Sequence, residues 1–259
     1  MTFTKITQIL AISTLLFGVS LQADPGFSNG SNGLPSVLQQ AWMATVRVES
    51  NGFLRNNSKG VGTGVIVGFN STRNLALIAT ANHAVDARMI IFFETQNEKT
   101  ASATSVKVLA KNAALDLALL SVEVPGEMAV TPVPLADLTK FGNGHVVYTI
   151  GHPNLSERRK WVGPKSDGED FTKRVSSGKR FTGVPVAGGI HHYHDADLLP
   201  GNSGGPLLDE AGALVGINIM IGYIKKTDGF PYCQLGANIC LYIATSAADL
   251  KKMIDSVAF

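Results

Sequence analysis

Cysteine is almost missing from this chain of 259 residues: Cys233 and Cys240 are the only two. A fold held together by a disulfide framework is therefore excluded. Charge is also sparse, since charged residues make up 16% of the sequence and nearly cancel at a net +2, so nothing points to nucleic acid as a partner. Long hydrophobic runs are absent beyond the first residues, which leaves no internal segment long enough to span a bilayer.

What is present begins with an export signal. Lys5 precedes an apolar run from Ile6 to Val19, followed by Leu21-Gln22-Ala23, a small-residue end. The run falls short of the roughly 20 residues a spanning helix needs, so residues 1–23 read as a cleaved signal peptide rather than an anchor. The expected product is soluble, secreted or periplasmic, with no stable membrane insertion. In an oxidising compartment Cys233 and Cys240 could pair across their short intervening segment, contributing roughly 2.5 kcal/mol, and two free thiols is the alternative.

Residues 24–36 are rich in Gly, Ser, Asn and Pro and read as a flexible tail, leading into a short helical turn near Val37 to Ala41. Beyond it, runs of Val, Ile, Leu and Thr are punctuated by many of the 27 glycines, the pattern of an all-β protein with short strands. One set of strands is expected between Ala44 and Val122, and a second between Val146 and Ile243. The stretch from Pro125 to Gly144 lacks periodicity and reads as the connection. Ala247, Leu250, Ile254 and Val257 recur at helical spacing and predict a C-terminal helix.

Three segments carry chemistry. Thr80-Ala81-Asn82-His83 places an imidazole at the end of an apolar strand. Asp116 stands alone among apolar residues, where a carboxylate needs a partner such as a histidine N–H. Gly201-Asn202-Ser203-Gly204-Gly205-Pro206 frames a serine with glycines, which let the backbone turn sharply and aim N–H groups at one spot.

At these segments the chain resembles the trypsin-like serine proteases, closest to the HtrA/Deg branch, over about Pro35 to Leu250. Gly62-Thr63-Gly64-Val65, Ile150-Gly151-His152-Pro153 and Leu214-Val215-Gly216-Ile217-Asn218 add to the match. The resemblance implies two six-stranded antiparallel β-barrels, the first over 37–135 and the second, with the helix, over 136–259. It implies His83 as general base, Asp116 as its orienting partner and Ser203 as nucleophile, with the N–H groups of Gly201 and Ser203 as oxyanion hole. Proteins or peptides are the implied substrates, and no metal or organic cofactor is required. The chain ends shortly after the helix, so no PDZ domain is expected. An inactive relative used as a binding or adhesion module is the alternative.

Two further features leave choices open. His191-His192-Tyr193-His194-Asp195 suggests a metal site, because alternation puts His192 and His194 on one face, but a loop with solvent-exposed histidines beside the active site is the preferred expectation. For specificity, Asp197 stands where digestive relatives have the residue facing the substrate, and a carboxylate there would favour Lys or Arg. The competing match of Asp195-Ala196 to the HtrA branch favours small aliphatic side chains and is preferred. Asn218 replaces the histidine of glutamate-specific relatives, which discounts acidic side chains.

Overall fold

The computed structural model describes residues 28–29, 34–51, 59–94, 100–126, 128–154, 172–221 and 241–259. Residues 1–23, expected to be a signal peptide, most of the expected tail, Cys233 and Cys240 lie outside the described residues.

Helix α1 (Ser36–Ala44) forms where the sequence suggested a single turn. Leu38, Ala41 and Trp42 recur at three- and four-residue spacing and bury one face. It ends at Thr45, whose backbone is already extended and whose hydroxyl donates to the Ala41 carbonyl at 2.7 Å.

The N-terminal sheet comprises β2 (Thr45–Asn51), β3 (Lys59–Asn70), β4 (Leu75–Ala81), β5 (Met89–Glu94), β6 (Thr100–Ala103), β7 (Val106–Asn112) and β8 (Leu117–Glu123). Its order is β6-β5-β2-β3-β4-β8-β7, antiparallel throughout. Among the described residues β6 and β7 are not hydrogen-bonded to each other, so this unit is a half-barrel of seven short strands where the resemblance implied six. Strand β8 is buried from Leu117 to Val122 without alternation, because it is covered on both faces.

The C-terminal sheet comprises β1 (Ser28–Asn29), β9 (Val146–Gly151), β10 (Arg174–Val186), β11 (Gly189–His194), β12 (Pro206–Leu208), β13 (Leu214–Ile221) and β14 (Tyr242–Ser246). The order β10-β11-β14-β13-β12-β9 returns through a β9 to β10 pairing, which closes a six-stranded barrel. Strand β1, from the segment expected to be a flexible tail, pairs with β10 at Ser28↔Val175.

The double-barrel architecture with a C-terminal helix is thus the one expected. Helix α2 (Ala247–Asp255) is capped by Ser246, whose hydroxyl accepts from the Ala248 N–H at 3.2 Å. Its Leu250, Met253 and Ile254, with Val257 and Phe259 beyond, join a core that also holds Ile78 and Leu119 of the first sheet and Ile217 of the second. One apolar cluster therefore fixes the two sheets against each other and defines the cleft between them. No helix among the described residues is long and apolar enough to cross a membrane.

Candidate active site

His83 sits in a single 3-10 turn, Asn82–Ala84, directly after β4. The turn is anchored by the Asn82 N–H donating to the Asp116 carbonyl at 3.0 Å. Asp116 closes the turn between β7 and β8 with φ at 51°, a left-handed conformation that a non-glycine residue adopts only at some expense. That conformation brings both carboxylate oxygens to His83. Oδ1 accepts from the His83 backbone N–H at 2.9 Å, and Oδ2 meets Nδ1 at 2.6 Å. In the neutral ring this contact places the proton on Nδ1, so Nε2 carries the lone pair. The His83 side chain is 39% exposed and Asp116 21%, so the carboxylate is more accessible than its apolar neighbours suggested.

Ser203 lies on the turn before β12, across the cleft from His83. Gly201 and Gly204 have φ of 99° and 88°, and a side chain at either would run into the carbonyl of His152 or Thr63 respectively. Each carbonyl of the turn is held. Pro200 accepts from the Asn154 N–H at 2.6 Å, Gly201 from the Thr63 hydroxyl at 2.7 Å, and Asn202 from the Gly205 N–H at 2.9 Å. A trans peptide points its N–H opposite to its C=O. The Gly201 and Ser203 N–H groups are therefore turned away from these partners, and neither donates to a group among the described residues.

A cleft of about 720 Å³ collects Asn82, His83, Asp116 and Ser203. Leu198, Leu199, Pro200 and Ile219 form an apolar wall of the same cleft, which Asn218 also lines. Asn218 is fixed from behind: its Oδ1 accepts from His194 Nε2 at 3.0 Å and its Nδ2 donates to the Pro206 carbonyl at 3.1 Å. Asp197 does not line the cleft. Its Oδ1 accepts from the Tyr242 hydroxyl at 2.6 Å.

The histidine-rich segment corrects the preferred expectation. It is not a loop with exposed histidines but strand β11, in which His192 and His194 are buried. Alternation does put both on one face, yet each has a different partner: His192 Nδ1 accepts from Arg180 Nε at 3.3 Å, whereas His194 holds Asn218. Burial, reinforced by Arg180, pushes His192 down to about 4, and burial pushes His194 down to about 3. Among the described residues no group of three His, Cys, Asp or Glu side chains could hold a metal ion. His191, on the opposite face, lines the cleft near Asp116, so the segment lies beside the candidate site although as a strand.

Two barrels with a carboxylate-held histidine facing a glycine-framed serine define the class of the trypsin-like peptidases. A family model for the trypsin-like peptidase domain matches residues 62–217, and the chain belongs to that family. Among curated relatives, the serine protease Do-like HtrA of Lactobacillus helveticus is 30% identical over 171 residues, covering 66% of this chain and 37% of the relative. The periplasmic pH-dependent serine endoprotease DegQ of Escherichia coli K12 is 26% identical over 250 residues, covering 84% of this chain and 50% of the relative. The chain thus spans half or less of the length of these relatives. A solved HtrA-type protease with a bound tripeptide shares the fold with a TM-score of 0.59 at 19% identity, over 85% of this chain and 62% of that one.

Proposed function

We propose that this chain is an exported serine endopeptidase that cleaves peptide bonds through His83, Asp116 and Ser203. The observation that carries the reading is the two-point grip of Asp116 on His83 beside the glycine-framed Ser203. His83 Nε2 takes the proton of the Ser203 hydroxyl as its oxygen attacks the substrate carbonyl. The negative charge that develops on the carbonyl oxygen is held by the Gly201 and Ser203 N–H groups, each such donor contributing about 10²- to 10³-fold in rate. The imidazolium, stabilised by Asp116, then gives its proton to the leaving amine, and water releases the acyl group from Ser203 by the same steps in reverse order. Export to the periplasm or medium follows from the N-terminal signal, and the two barrels take residues 37–135 and 136–259.

The residue before the scissile bond enters the apolar wall of Leu198, Leu199 and Ile219. With Asp197 turned to Tyr242, an aliphatic side chain fits there better than Lys or Arg. Matched peptides with Val, Arg or Glu at that position test this: kcat/KM is expected to be highest for Val, and Asp197→Ala to leave that order unchanged. Arg preference abolished by Asp197→Ala would overturn it.

A further inference from the structure

The Gly62-Thr63-Gly64 segment stands out in the sequence but has no part in the chemistry above. In the fold Thr63 is fully buried on β3 and meets the serine turn at two points. Its N–H donates to the Ser203 carbonyl at 2.8 Å, and its hydroxyl donates to the Gly201 carbonyl at 2.7 Å. The same hydroxyl accepts from the His152 N–H at 3.0 Å. Thr63 thus joins the turn that carries Ser203 to the segment after β9, whose Asn154 N–H holds the Pro200 carbonyl.

That second segment is itself braced from the other barrel. His152 is buried, and its Nε2 bonds Glu94 of β5 at 3.1 Å. Glu94 also pairs with Lys173 at 3.3 Å, and the Lys173 ammonium donates to the Trp42 carbonyl of α1 at 3.0 Å. A buried ion pair is a poor way to gain stability when apolar side chains could fill the same space. Its geometric effect is definite, however: it ties α1 and β5 to the backbone that meets Thr63.

We propose that the Thr63 hydroxyl, braced by the buried His152, Glu94 and Lys173 chain, is a positioning group that holds the Gly201 to Ser203 turn in the form that binds an oxyanion. With the hydroxyl removed, the Gly201 carbonyl and the His152 N–H lose their shared partner in a dry interior. The carbonyl can find a new donor only if the Gly201–Asn202 peptide rotates, against the Asn202 N–H bond to the Leu199 carbonyl at 3.0 Å, and such a rotation shifts the backbone that carries the Gly201 and Ser203 N–H groups. The inference rests on the serine endopeptidase reading for its kinetic consequence but not for its structural one.

The test compares Thr63→Val, which keeps the shape, Thr63→Ala as a smaller second variant, and Thr63→Ser, which keeps the hydroxyl. Thr63→Val and Thr63→Ala are expected to lower kcat by at least about 30-fold with KM within about 2-fold, part of the loss that follows removal of one oxyanion donor. Thr63→Ser should restore kcat to within about 3-fold of wild type, by keeping that donor geometry. Crystal structures of Ser203→Ala with and without Thr63→Val supply a readout independent of hydrolysis, and the Pro200 to Ser203 peptides should differ between them. An unchanged turn in the double variant would overturn the proposal, as would a Thr63→Ser enzyme as slow as Thr63→Val. A wild-type protein that cleaves nothing would defeat the endopeptidase reading alone, with the structural comparison still deciding the role of Thr63.

Discussion

Ser203→Ala is expected to lower kcat for peptide hydrolysis on the order of 10⁶-fold, because nucleophile and base act as a unit and either alone leaves little. The fold should survive. Ser203 is only partly buried, its turn is held by backbone carbonyls of its neighbours, and none of those bonds uses its hydroxyl. Thermal unfolding of the variant should therefore match wild type within a few degrees, the shift expected for about 1 kcal/mol or less. Residual hydrolysis near the wild-type rate would remove Ser203 from the mechanism.

The second large effect is on stability in acid. Burial holds His152 at about 4, against the opposing hydrogen bond from Glu94, and holds His192 and His194 at about 4 and 3. An unfolded histidine takes up its proton near 6.5. The folded state excludes that proton, so the stabilisation is complete above pH 6.5 and is lost as the pH falls towards the folded values. Each unit of depression corresponds to about 1.4 kcal/mol, so three such histidines approach the margin of 5–15 kcal/mol by which a domain is stable. Glu94 adds to the loss at lower pH. Burial would raise its carboxyl, but the His152 hydrogen bond and the Lys173 charge outweigh it and hold it at about 2. Its contribution is present above about 4.5 and lost below. Urea unfolding at pH 7.5, 5.5 and 4.5 should show the midpoint falling steeply, with the chain unfolded without denaturant near pH 4. A midpoint constant down to pH 4.5 would contradict the burial of these imidazoles.

The parts of the site legible in the sequence are those whose signal is local. His83 follows an apolar strand, Asp116 interrupts an apolar run, and Ser203 stands among glycines, so each context can be read within a few residues. The helix at Ala247–Asp255 was legible for the same reason, through its apolar spacing. Other features depend on partners far along the chain. The Thr63 hydroxyl meets a carbonyl 138 residues away, and the glycines around Thr63 mark the segment without showing that partner. A pocket carboxylate at Asp197 was the less preferred of two readings, and nothing local showed that the fold would bring Tyr242 to it from 45 residues away. Strand β11 was missed because histidine is polar in composition. In the barrel Arg180 bonds His192 Nδ1 and Asn218 bonds His194 Nε2, one ring nitrogen of each buried histidine, so each ring enters the interior with one polar partner.

The most direct test of the central claim is covalent labelling of the purified protein with a fluorophosphonate, followed by mass spectrometry of its peptides. A serine activated by His83 should carry the adduct on Ser203, stoichiometrically. Labelling should be lost in His83→Ala, where the hydroxyl remains but its proton acceptor is gone. Absence of any adduct on Ser203, or equal labelling of wild type and His83→Ala, would contradict the account.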